Sequence, residues 1–568
     1  MRPIPDLARR ILSPLVLAAA LGTPALAAPD AADYLSARSA AAAHDYAVAA
    51  DRFLAVLEAD PEAGPQITES ALAALLAAGE VDRALDLPDE RLEGDSQIAG
   101  LLRQIRAARA GDWEGLLSVI DAGDDDLLVN ALSRGWALYG TGDVEAARGS
   151  FAALAESPGL LPFALYHEAL MLAASGDFDA AAEILDRPEA EGLLRSRRGA
   201  LAYAQIQAQS GNGPQAAERL RGLFPGGLDI AIGALVERIE AGEDIAFDLV
   251  QSAQDGLAEV HFSFAGVLEG DAPPESTLIF ARAAQALKPD HVDALLLLGN
   301  ILGRLGRPDL AGESFAAVPR NDPSFPLAEL GRAEALAAAE QPGRAIEVLQ
   351  QLTAADPELT QAQVALGQML SRQDDLAGAE AAYTRAIEQT PEGSGWWLLY
   401  ARGMAREAQG NWDGAEADMR AALDVTPDQP AVLNFLGYSL VERGERLDEA
   451  LGMIERAVAL RPEDGAIVDS LGWAQFKLGR YAEAVGNLER AVSLLPVDPI
   501  LNDHLGDAFW AVGRLSEAQF QWRRALSFDP EPEEEQRIRQ KLERGLDAVL
   551  AEEGADPLRN TADGQEAP

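Results

Sequence analysis

The sequence predicts an all-α solenoid of helix–turn–helix units, and three observations carry that prediction. Prolines that close an apolar, helix-like run stand at Pro289, Pro323, Pro357, Pro391, Pro427, Pro462, Pro496 and Pro530, with gaps of 34, 34, 34, 36, 35, 34 and 34 residues. Proline lacks an amide hydrogen and clashes with the preceding turn, so each marks the end of a unit. With that proline counted as position 32, position 20 is always alanine: Ala311, Ala345, Ala379, Ala415, Ala450, Ala484 and Ala518. Position 24 is large (Phe315, Leu349, Tyr383, Met419, Ile454, Leu488, Trp522) and position 8 is small (Gly299, Ala333, Gly367, Gly403, Gly472, Gly506). Gly437 joins this last set once one inserted residue near Glu445 is allowed. Small residues let two helices approach, and the large ones fill the space between them. The third observation is composition: 48% hydrophobic residues, only 6% aromatic, and no cysteine in 568 residues.

The elements follow in order. Residues 1–27 read as an export signal: Arg2, Arg9 and Arg10, an apolar run from Ile11 to Leu21 broken by Pro14, then Ala25-Leu26-Ala27 as a peptidase site. The run is shorter than the roughly 20 residues a membrane span needs. A mature chain beginning near Ala28 in a bacterial periplasm is therefore expected. Residues 28–241 repeat more loosely. Ala49, Phe53 and Pro61 fit one unit, and Gly142-Asp143 with Ala147 and Phe151 another. Gly176-Asp177-Phe178 with Ala181 and Leu185, and Gly211 with Ala216 and Leu220, are two more. Segments 64–87 and 96–121 read as shorter helix pairs turning at Gly79 and Gly111, and Gly226-Gly227 closes the arm. The rhythm breaks over 242–256, an irregular connection. The regular array spans 257–530, with Gly306, Gly410, Gly444, Gly479 and Gly513 where a first helix must stop. Ile538, Leu542, Leu546, Val549 and Leu550 form one stripe, which makes 531–553 a capping helix. The segment 554–568 lacks apolar spacing and reads as a disordered tail.

These residues resemble the tetratricopeptide repeat (TPR) family, whose unit is a 34-residue helix–turn–helix with Leu-Gly early, Ala mid-unit and Pro last. The resemblance implies a right-handed superhelix whose first helices line an inner groove. Candidate groove residues are Asn300, Trp397, Tyr400, Met404, Asn434, Tyr438, Asp469, Trp473, Phe476, Lys477, Asp503, Asp507 and Trp510. Rings supply rigid contact area and the polar groups bond a peptide main chain; the alternative is that these rings pack against the next repeat. Only Lys477 of the three lysines is expected near the groove, which argues against a lysine clamp for a terminal carboxylate. The stretch Leu433 to Ala525, with Leu436-Gly437-Tyr438, Leu471-Gly472-Trp473 and Gln521-Trp522-Arg523-Arg524, is similar to the final repeats of bacterial envelope TPR proteins. Some of those are adaptors of carboxy-terminal processing proteases that degrade peptidoglycan hydrolases. The resemblance implies an adaptor whose partners are proteins or peptides, a periplasmic protease or cell-wall hydrolase among them.

Charge and motifs exclude other classes. A net charge of −46 is wrong for a phosphate backbone or an anionic membrane, and favours basic or mixed partners unless it serves only solubility or salt adaptation. Without cysteine there is no thiolate metal site, no cysteine nucleophile and no lipid anchor. His167-Glu168 opens no zinc motif because Met171 stands where the second histidine would be. Asp124-Asp125-Asp126 lacks calcium-loop spacing, and Gly211-Asn212-Gly213-Pro214 follows no strand. Asp503 and His504 diverge by about 100° on a helix and form no dyad, so His504 is expected to pack or hydrogen-bond. The expected protein is thus a non-enzymatic periplasmic scaffold with no cofactor or metal, serving cell-envelope or peptidoglycan maintenance. The alternative is a structural subunit of an envelope complex held by its outer surface or N-terminal arm.

Overall fold

The computed structural model describes residues 29–558 except 61–62, 93–95, 124–127, 226, 392 and 556–557, with the backbone alone at 29–31 and 89–90. The export signal over 1–27, Pro61, Asp124-Asp125-Asp126, Gly226 and residues 559–568 lie outside the described residues. All regular structure among the described residues is helical. The chain divides into two units, Met1–Leu352 and Thr353–Pro568.

The repeat offsets are packing contacts. Every alanine at position 20 and every large residue at position 24 is buried. Each glycine at position 8 lies under the large side chain of its own unit. A Cβ on Gly403 would stand 2.6 Å from Met419 Cε, one on Gly472 2.6 Å from Leu488, and one on Gly437 2.7 Å from Ile454. The first unit repeats this at Gly135, which lies against Phe151. First helices end in a left-handed residue, as at Gly410 (φ 78°) and Gly479 (φ 76°). In three repeats this place falls to His44 (φ 56°), Glu340 (φ 57°) and Asp374 (φ 60°), where a Cβ makes the conformation costly. The second helix then opens on a side-chain cap: Asp143, Asp177, Asp375 and Asn411 each accept an amide hydrogen three residues on.

Three boundaries differ from the sequence-based expectation. The helix Ala253–Leu268 starts inside the segment 242–256, because Ser252 caps it by accepting from Asp255 N at 3.1 Å. The capping segment is two helices, Pro532–Arg544 and Leu546–Glu552, broken at Gly545 (φ 85°, ψ 156°). That backbone is open only to glycine, and a Cβ there would stand 2.5 Å from the Trp510 ring. The start of the expected tail is tied down, since Ala555 N donates to Leu550 O at 2.8 Å and Leu558 N to Asp547 Oδ1 at 2.9 Å.

The first unit is closed around part of itself. The hairpin of Ala253–Leu268 and Pro274–Leu287 packs on the first helices Pro65–Ala78, Gln97–Ala110, Leu128–Gly140 and Leu161–Ala174. Gly256 approaches the fully buried Trp136 so closely that any side chain would collide with the indole. The ring closes where His44 Nδ1 meets Leu305 O at 2.8 Å and Arg307 Nη1 donates to His44 O at 2.6 Å.

Candidate functional site

In the second unit the first helices Trp396–Ala408, Pro430–Glu442, Gly465–Lys477 and Pro499–Ala511 succeed one another. Their fifth and ninth residues make a row of pairs: Tyr400 and Met404, Asn434 and Tyr438, Asp469 and Trp473, Asp503 and Asp507. The row changes character along its length. At its start Trp397 is 42% exposed and Met404 37%, and with Tyr400 they form one stripe at i, i+3 and i+7. Tyr400 meets the next repeat edge-to-face through Phe435, with centroids 5.8 Å apart.

Further along, the expected groove face is spent on stacking between repeats. Trp473 is only 7% exposed. It lies on His504 of the next repeat, with centroids 3.9 Å apart and planes 12° apart, and on Phe476 at 4.8 Å. Its Nε1 donates to Glu442, and Lys477 Nζ stands 5.1 Å over its ring and 3.7 Å from Glu442. His504 Nδ1 donates to Asp469 Oδ2 at 2.9 Å. Burial alone would lower the imidazole pKa, but Asp469, with Asp503 and Asp507 behind it, raises it. Tyr438 is half-buried, and its pKa is raised by burial and by Glu442, Asp469 and Glu534. Asn434 Oδ1, Asp469 Oδ1 and Asp503 Oδ1 are buried without a donor among the described residues.

At the far end the row is closed by the chain itself. Lys541, with no side-chain exposure, donates to Asp503 Oδ2 at 2.6 Å and Asp507 Oδ2 at 2.8 Å. Asp507, 1% exposed, also accepts from Trp522 Nε1 at 2.9 Å. Burial raises the Asp507 carboxyl pKa, with Lys541 pulling it the other way. Arg537 stands 3.9 Å from Asp503 and 3.8 Å from Asp507, and Trp510 Nε1 donates to Asp547 at 3.0 Å. The expectation that Lys477 alone is near the groove is therefore corrected. Arg537 and Lys541 follow Asp503 and Asp507 by 34 residues each, and that offset, carried past Pro530, would have found them. Asn300, exposed on the helix Val292–Arg304, belongs to the first unit and the other twelve candidates to the second.

The inner face of the first unit carries a buried polar hub instead. Glu259 Oε1 accepts from Tyr166 OH at 2.8 Å, and Glu259 Oε2 from Arg198 Nη2 at 2.8 Å. His291 accepts Ala294 N on Nδ1 at 3.2 Å, so its other nitrogen presents the proton to Glu259 at 3.3 Å. Burial would raise the Glu259 pKa, but Arg198 and His291 hold it well below the ordinary carboxylate range. Arg198 Nη1 donates on to Asp293 at 3.0 Å, which also takes Arg197, and Arg197 Nε reaches Asp229 at 3.0 Å. Nothing periodic in the sequence marks this hub.

A family model for the tetratricopeptide repeat matches residues 132–193, 277–326, 330–394, 400–465, 442–499 and 470–531, more than half of the chain. The chain belongs to the tetratricopeptide repeat family. It is 34% identical over 168 residues to TPR repeat-containing protein PA4667 of Pseudomonas aeruginosa, covering 29% of this chain and 27% of that one. It is 30% identical over 162 residues to Protein FlbA of Caulobacter vibrioides, covering 28% and 27%. The chain thus spans about a quarter of the length of these relatives. Among solved structures, Cut9–Hcn1 of the APC/C is 15% identical with a TM-score of 0.37, covering 91% of this chain and 97% of that one. The TPR protein YrrB, described as having an unusual peptide-binding site, is 23% identical with a TM-score of 0.27, covering 31% and 90%.

TPR arrays in general bind proteins and peptides rather than catalyse reactions. Among the described residues no group of three or more His, Cys, Asp or Glu is placed to hold a metal ion, and no helix is long and apolar enough to cross a membrane.

Proposed function

We propose that this TPR protein is a periplasmic scaffold that docks a protein or peptide on the start of the second unit's inner row, at Trp397, Tyr400, Met404 and Tyr438. The observation that carries this is the exposed apolar stripe of Trp397 and Met404, at the end of the row that Lys541 does not close. The aromatic rings are rigid contact area, the flexible thioether of Met404 adapts to the surface it meets, and beyond them the row offers acceptor oxygen. The export signal and the envelope resemblance support a periplasmic address, and with it a partner in cell-envelope upkeep such as a protease or a peptidoglycan hydrolase.

Immobilised mature chain, challenged with periplasmic extract, tests the reading. Trp397→Ala with Met404→Ala leaves the buried packing in place. Loss of a retained partner is expected, by about 10-fold or more in affinity for hot-spot residues. Undiminished capture would refute docking at this stripe. N-terminal sequencing of the exported protein should begin at Ala28; an uncleaved N-terminus would count against the export reading. One observation favours a second reading, a structural subunit held by its outer surface. The inner face of the first unit is filled by the chain's own hairpin, so a partner of that unit meets its outside. A partner kept by the double variant supports that reading.

A further inference from the structure

The closed first unit holds a cavity of about 320 Å³ whose lining includes Val81, Arg109, Arg282, Ala286, Leu310 and Glu313. Arg282 is 7% exposed. Its Nη1 donates to Gln285 Oε1 at 2.8 Å, while Nε is buried with no acceptor among the described residues. No carboxylate pairs with it at contact distance there. The guanidinium lies flat against Gly79, where a Cβ would stand 3.1 Å from Cζ. Burial brings its pKa down to about 10, with Glu313 opposing the fall, so it remains a cation at neutral pH. Arg109 stands in the same lining, Nε donating to Ala286 O at 2.9 Å and Nη1 paired with the largely exposed Asp82 at 2.5 Å.

A buried guanidinium without a counter-ion is unfavourable, and an oxyanion that meets its planar fork relieves that cost. Much of the remaining lining is polar (Asp82, Gln285, Glu313 and Ser314), and Val81, Ala286 and Leu310 add a small apolar wall that a short hydrocarbon can meet. Asp82 and Glu313 repel a second negative charge. We propose that this cavity binds a small aliphatic monocarboxylate, with the carboxylate on Arg282 beside Arg109 and the hydrocarbon against Val81, Ala286 and Leu310. The site is separate from the docking stripe, and its ligand would brace the ring where the hairpin meets the first helices.

The test is calorimetric titration of the full mature chain with 4-methylpentanoate, its neutral amide and citrate at matched ionic strength. The monocarboxylate should bind at least 10-fold more tightly than either, and should raise the melting temperature of the first unit. Arg282→Gln should lose that 10-fold preference. Glu313→Gln, at an exposed position, should strengthen carboxylate binding several-fold. Equal affinity for acid and amide, no heat with the acid, or a preference that survives Arg282→Gln would overturn the proposal. Should Arg282→Gln fail to fold by circular dichroism, Glu313→Gln decides: an unchanged acid-to-amide ratio there also overturns it.

Discussion

Buried carboxylates on the inner faces of the two units do different work. In the first unit, Glu259 of the inserted hairpin is gripped by Tyr166 and Arg198 of the surrounding arm, and the face is filled. In the second, Asp503 and Asp507 of the last repeat are gripped by Lys541 of the capping helix, and only the far end of the row is closed. One repeat therefore builds both a sealed body and a partly open row. What separates them is how much of the inner face a later stretch of chain covers.

The largest expected effects break these two grips. Removing one partner of a buried ion pair strands the other and costs about 3–5 kcal/mol. Glu259→Ala should lower the melting transition of the first unit by that order, and Lys541→Met that of the second, as read by calorimetry. If each variant shifts both transitions equally, the division into two units is wrong.

Acid should move the units in opposite directions. His167 and His261 are buried in the first unit, and burial lowers each pKa to about 4. His167 accepts Trp136 Nε1 at 3.0 Å on Nδ1, which a proton there would abolish. An imidazole depressed on folding takes up fewer protons in the folded state than in the unfolded one. Its stabilisation is full above the unfolded value of about 6.5 and is lost as pH falls through the folded value, about 3 kcal/mol for each histidine. His504 has the opposite sign. Its pKa is raised on folding, so its contribution is full below about 6.5 and is lost as pH rises through the folded value. Between pH 7.5 and 5 the first transition should fall while the second holds or rises. A parallel fall of both would remove His504 as the source of the difference.

The smallest effect concerns the shared repeat. Glu340→Gly and Asp374→Gly, one in each unit, relieve left-handed backbone and should stabilise by about 1 kcal/mol apiece. No gain at either position in chemical denaturation would mean that the side chains offset the strain.

Much of the fold was legible because it is local and periodic. Ala415 and Met419 lie four residues apart on one helix, and Gly403 lies sixteen residues before Met419, all within one unit. The candidate site was legible in part. Met404, Tyr438 and Trp473 share one place in the repeat, which locates the row, but exposure along it is not readable from the sequence. Trp473 stands in the register of a contact residue, yet His504 of the next repeat stacks on its ring. Trp397 and Met404 remain open because no later residue among those described covers them to that degree.

The sequence by itself determined the unit, its turns and the pairing of small with large residues, since those contacts recur every 34 residues and each is repeated several times. Only the tertiary structure decided which inner faces are occupied. Tyr166 and Glu259 are 93 residues apart and His44 and Leu305 are 261 apart, and each pairing is made once. A contact that occurs once leaves no period to read. Its partner is set by how far the stacked helices turn before the chain comes back, a small rotation per repeat that accumulates over the whole arm.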